Sequence, residues 1–167
     1  MRKSQGLVRS LNPMRRHSCQ CEGIRIPRLN RVSANFTQSN QVEVRFKADM
    51  EYLAAVRLIT QKVAEKLMLS NNSVYDLKLA VGEACANAIE HGSPLGSEND
   101  VAVTFSWTEK ELRIEIADQG TGCWIESKVG CGSDRGFGIP IMRALMDQVD
   151  FVVGLDGTKV ILTKRLR

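Results

Sequence analysis

From Gln41 onward the chain alternates in two different rhythms. Val42, Val44 and Phe46 are separated by polar residues, the period-two pattern of a half-buried strand. Behind Asp49, a residue suited to cap a helix, Leu53, Val56, Val63 and Leu67 return at near-helical intervals. Ser70-Asn71-Asn72 interrupts that pattern. Ser73 and Asp76 then form the S-x-x-D variant of a capping box, which predicts a second helix running to about His91. Gly92, Pro94 and Gly96 disfavour its continuation. Two alternating strands follow, one carrying Val101, Val103, Phe105 and Trp107 and the other Leu112, Ile114 and Ile116, with Glu109-Lys110 at the turn. The stretch from Gly120 to Gly138 is glycine-rich and too polar for regular structure. A helix is predicted from about Ile139 to Gln148, with Pro140 tolerated in its first turn. Phe151 to Val153 and Thr158 to Leu166 read as closing strands around Asp156-Gly157. The order β-α-α-β-β-α-β-β predicts an α+β fold: a two-layer sandwich with a mixed, mostly antiparallel sheet and helices on one face.

Residues 1–40 show no such rhythm, and charge sets them apart as well. They hold eight of the 23 Lys and Arg residues and a single acid, Glu22, whereas the rest carries 15 basic and 18 acidic residues. The overall net charge of +4 therefore belongs to the first segment. Residues 41–167 are mildly acidic and give no electrostatic reason to contact nucleic acid directly. The division predicts a basic, mobile extension at 1–40 and one domain at 41–167. Three readings of the extension stay open: an Arg-rich targeting peptide, a basic interaction arm, or functionally inert upstream sequence. Cys19 and Cys21 lack a second pair at zinc-site spacing, and five cysteines in all make no disulfide framework. No apolar run is long enough to span a bilayer. A reducing, cytoplasmic setting away from membranes is the expectation.

Three clusters carry candidate chemistry. Glu83, Asn87 and His91 follow one another at intervals of four, so on a helix they form one polar stripe beside small residues (Ala84, Cys85, Ala86, Ala88). A carboxylate there can accept a proton, and an amide oxygen can ligate a hard cation such as magnesium. A plain exposed helix face has the same pattern. Next, Ile114-Glu115-Ile116-Ala117 leads into Asp118-Gln119-Gly120-Thr121-Gly122, a strand running into D-x-G-x-G. An aspartate at a strand end can accept a hydrogen bond from an exocyclic amine, with glycines allowing a flat base or a phosphate to approach; an ordinary acidic turn also reads this way. Third, Arg135-Gly136-Phe137-Gly138-Ile139 places glycines ahead of a helix start, where unpaired N–H groups favour anions. Neither a G-x-x-x-x-G-K-[ST] phosphate loop nor a dinucleotide fingerprint is present.

Taken in order, these clusters resemble the motifs of the Bergerat-fold ATPases, the superfamily of gyrase, heat-shock chaperone, histidine-kinase and mismatch-repair ATP-binding domains. Glu83 to His91 is similar to the family's N box, Asp118 to Gly122 to its first glycine box, Arg135 to Ile139 to its second, and Gly157-Thr158 to its closing G-T motif. The resemblance covers about residues 42–167. Within the superfamily the chain most resembles the anti-sigma factor serine/threonine kinases of bacterial stress and sporulation control. The short Cys123–Arg135 segment between the glycine boxes and the E-x-x-x-N-A-x-x-H-G pattern carry that likeness. Pro140 and the basic extension depart from it.

The resemblance implies ATP and Mg2+ as cofactors, with Asn87 as metal ligand and Asp118 on the adenine amine, supported by Thr158. It implies that Gly120, Gly122, Gly136, Phe137 and Gly138 shape the base pocket and a lid over the phosphates, with Arg135 helping to neutralise them. Glu83 is the implied catalytic base toward a serine or threonine hydroxyl. His91 stays open between a phosphate contact and a structural histidine. The cysteines Cys85, Cys123 and Cys131 read as small fillers or lid residues. The implied partners are a sigma factor and a STAS-type antagonist protein, and the implied assembly is a homodimer. A nucleotide-dependent binding module without phosphotransfer is the rival reading.

Overall fold

The alternation in the sequence becomes one face of a sheet. The structure, a computed structural model, describes residues 33–36, 40–120 and 137–166. Six strands, β1 (Ser33–Phe36), β2 (Gln41–Lys47), β3 (Asp100–Trp107), β4 (Glu111–Ala117), β5 (Gln148–Gly154) and β6 (Gly157–Arg165), are ordered β1-β2-β3-β4-β6-β5. Every described pairing is antiparallel, so the parallel component of the expected mixed sheet is absent among the described strands. Strand β1 lies within the predicted extension: Ser33 to Phe36 pair with Arg45 to Val42, so the sheet begins before Gln41.

Val42, Val44, Phe46, Val101, Val103, Phe105, Leu112, Ile114, Ile116, Val160 and Leu162 face inward and are buried under three helices. Asp49 accepts a hydrogen bond from Glu51 N at 2.9 Å and caps a short 3₁₀ turn, Met50–Tyr52, that runs into α1 (Leu53–Lys66). Helix α2 spans Asn71–Glu90. Its cap is Ser70, whose Oγ accepts from Ser73 N at 3.2 Å, so the helix starts one turn before the predicted Ser73 box. Ala80, Ala84 and Ala88 are fully buried, and their small size lets α2 lie close over the sheet. Helix α3 (Gly138–Leu145) is shorter than predicted, because Met146 is already extended and Gln148 opens β5.

On the opposite face Glu43, Thr104, Ser106, Arg113, Glu115 and Lys159 remain partly or largely exposed, as alternation requires. Glu115 accepts from Arg113 Nε at 2.9 Å and pairs with Lys159 Nζ at 2.8 Å. The step from β4 to β6 matters most for function. It sets the chain just past Ala117 beside Thr158, although the two are remote in sequence.

Candidate functional site

Asp118 follows the last residue of β4, and its backbone N donates to Thr158 O at 2.9 Å. Its side chain, only 6% exposed, accepts through Oδ1 from Gly120 N at 2.9 Å and from Thr158 N at 3.2 Å. Thr158 Oγ1 donates to Gly120 O at 3.2 Å and closes the ring. Oδ2 takes no hydrogen bond among the described residues. Burial pushes the carboxyl above the ordinary carboxylate range, while the two N–H donors pull it back. The result is a desolvated acceptor, fixed on one side and free on the other, suited to an N–H donor of a flat ligand.

Glycines make this approach possible. A Cβ at Gly92 would overlap the Asp118 carboxylate, and one at Gly120 would come within 2.6 Å of Gly92 Cα. Gly157 has φ of +144°, and a Cβ there would overlap Asp118 O. In the sequence Gly92 is a helix stop closing the E-x-x-x-N-A-x-x-H-G pattern, and Gly157 is a turn residue in the G-T motif. That each also stands in for missing bulk beside a carboxylate is visible only once β4, β6 and the end of α2 are brought together.

The second part of the site lies on α2. Glu83 and Asn87 are both partly buried on the helix side facing α3. A Cβ on Gly138, the first residue of α3, would stand 3.2 Å from Asn87 Nδ2 and 3.3 Å from Glu83 Oε2. The stripe and the second glycine cluster therefore meet. His91 ends the helix: its N donates to Asn87 O at 2.9 Å, and its ring Nε2 lies 3.8 Å from Glu90 Oε2. Gly92 N also donates to Asn87 O, at 3.1 Å, so the end of the stripe leads directly to the Asp118 cage. Phe137 is largely exposed ahead of α3. Gly122, Arg135 and Gly136, with Cys123 and Cys131, lie outside the described residues. Cys85 is fully buried and burial pushes its thiol up to about 12, so it is a packing residue and no nucleophile.

Residues 46–164 match the family described as histidine kinase-like ATPase domain. The chain is 34% identical over 140 residues to the serine-protein kinase RsbW of Bacillus licheniformis, covering 77% of this chain and 87% of that one. The chain belongs to this RsbW serine-protein kinase family. A second RsbW, from Bacillus subtilis strain 168, is 30% identical over 140 residues, again 77% of this chain and 87% of the relative. The solved structure of the RsbU and RsbW domains of Rv1364c from Mycobacterium tuberculosis shares the fold, with a TM-score of 0.57 and 20% identity. That likeness covers 74% of this chain and 32% of the longer one. The family resemblance read from the ordered motifs is borne out. As an RsbW-family member the chain is a serine-protein kinase built on an ATP-using domain.

Proposed function

We propose that this RsbW-family kinase binds ATP with magnesium between α2, α3 and the Asp118 cage, and transfers the terminal phosphoryl group to a serine or threonine of a STAS-type antagonist protein. As an anti-sigma factor it holds a sigma factor, which the unphosphorylated antagonist displaces. Phosphorylating the antagonist restores the hold. It works in the cytoplasm as a homodimer. The observation that carries this reading is the meeting of Glu83 and Asn87 with Gly138, where a Cβ would stand 3.3 and 3.2 Å from their polar atoms and crowd both.

In this reading Asp118 Oδ2 accepts from the adenine amine while Thr158 and Gly120 hold Oδ1. Asn87 offers a hard amide oxygen, which fits magnesium, an ion that binds through one or two protein oxygens together with phosphates and water. Bound there, the ion would neutralise charge on the phosphates. By the family resemblance, Arg135 adds positive charge toward the phosphates and Gly122 and Gly136 belong to the two glycine boxes. Glu83 accepts the proton of the attacking hydroxyl as its oxygen bonds to the γ-phosphorus and ADP departs. Phosphoryl transfer needs mainly positioning and charge neutralisation, so this small set is enough.

Glu83→Gln tests the assignment. The substitution keeps size and a hydrogen-bonding carbonyl, so ATP and partner binding should persist. Transfer to the antagonist should fall by ~10²–10⁴-fold in a single-turnover assay with labelled ATP. Transfer at the wild-type rate would remove Glu83 from the chemistry. A wild type that exchanges partners with nucleotide state but transfers nothing would make the chain a binding module.

A further inference from the structure

We propose that Asn99 and Gln119 are a pair of positioning residues that aim Asp118 at the adenine amine. The proposal rests on the reading of Asp118 given above. Gln119 stands between Asp118 and Gly120, yet its side chain reaches to the start of β3. There Oε1 accepts from Asn99 Nδ2 at 2.6 Å and from Asp100 N at 3.1 Å. Asn99 is only 6% exposed, and its Oδ1 accepts from Leu95 N at 2.7 Å. With one end of the Asn99 amide accepting and the other donating, its orientation is fixed.

These bonds tie the connection that follows α2 to the turn that follows β4. Gln119 N donates to Gly92 O at 3.1 Å, and Gly92 is the residue whose missing Cβ makes room for the Asp118 carboxylate. The links run from Leu95 through Asn99 and Gln119 to Gly92, whose missing Cβ leaves room for Oδ2. None of these side chains hydrogen-bonds the carboxylate, so the pair acts on a ligand only through Asp118. Hydrogen bonds weaken steeply as they leave line, so a carboxylate that must select an amine needs its turn held still. A buried amide satisfied on both ends could serve stability alone. The two roles separate according to which nucleotide is weakened.

ATP presents an amine where ITP presents a carbonyl oxygen, so only ATP draws on the aim of Asp118. Calorimetric titration of the full chain with each nucleotide, alongside a melting curve, provides the test. Wild type should prefer ATP. In Gln119→Ala, ATP affinity should fall about tenfold while ITP affinity holds, narrowing the preference. Asn99→Asp keeps the acceptor for Leu95 but removes the donor to Gln119, and should narrow it in the same way. Gln119→Glu retains an oxygen able to accept from both donors and should restore the preference. Equal loss of ATP and ITP in the Ala variant, or an unchanged preference, overturns the proposal. A wild type that binds ATP and ITP alike overturns the assignment of Asp118 to the amine instead.

Discussion

The two ends of the sheet are closed by opposite means. At one end Trp107 and Leu112 pair across β3 and β4, and Lys66 Nζ lies 4.9 Å from the centre of the Trp107 ring. At the other end Gly92, Gly120 and Gly157 stand where side chains would be, and main-chain N–H groups reach the Asp118 carboxylate. The first end is sealed by bulk, and stability comes from area removed from water. The second is shaped by the absence of bulk, so it gains little from apolar burial and must hold a desolvated acid by hydrogen bonds. A fold can carry such an end because the other supplies the packing.

The largest effects should come from exchanging these means. Gly157→Ala forces a residue with a Cβ into φ of +144° and against Asp118 O. Stability should fall by roughly 3 kcal/mol or more, and ATP binding should vanish with it, read by denaturant titration and calorimetry. Trp107→Ala should cost about 3 kcal/mol by loss of packing alone, leaving ATP affinity unchanged below the new midpoint. Loss of ATP binding in the Trp variant would show that the two ends are not independent.

A smaller effect is expected from Asp118→Asn, which keeps the Oδ1 acceptor for Gly120 and Thr158. ATP affinity should drop roughly ten- to a hundredfold, the value of a charge-assisted hydrogen bond. Without nucleotide the sign reverses. The folded carboxyl sits above its unfolded range, so its favourable contribution is complete below the ordinary aspartate value and is lost as pH rises through the folded value. At neutral pH the ionised group is a penalty. The nucleotide-free Asn variant should therefore melt above wild type at neutral pH, with the gap closing in acid. The smallest effect belongs to Lys66→Ala, under ~1 kcal/mol, because an exposed ammonium over one ring gains little in water.

Periodicity made the sheet legible. Alternation at 101–107 and 112–116 placed both central strands, and the four-residue spacing of Glu83 and Asn87 placed them on one helix side. Capping was read one turn late, because Ser70 and Ser73 are equally good caps and only the fold decides which N–H is orphaned. Strand β1 went unread since four residues are too few to establish a period. The antiparallel neighbour of β4 was equally hidden, because nothing local says that β6 inserts between β4 and β5. For the same reason Gly92 and Gly157 are legible in sequence as motif residues, whereas their packing against the Asp118 carboxylate and carbonyl is not. Asn99 and Gln119 carried no signal at all. Each is an ordinary polar residue until the two turns are neighbours.

The hydrogen bond between Thr158 N and Asp118 Oδ1 joins residues 40 apart in the chain. Pairings of that span close slowly, since the entropy of bringing distant segments together must be met before any contact repays it. Strands β3 and β4 form a hairpin from near neighbours, whereas β2 pairs with β3 across α1 and α2, and β6 docks along the other side of β4 with α3 and β5 folded back between them. A chain halted before that docking holds Asp118 without the Thr158 N donor, its carboxylate free to rotate into water. Competence at this site is therefore acquired only when β6 docks on β4, and a molecule that has formed the β3–β4 hairpin alone has not gained the cage.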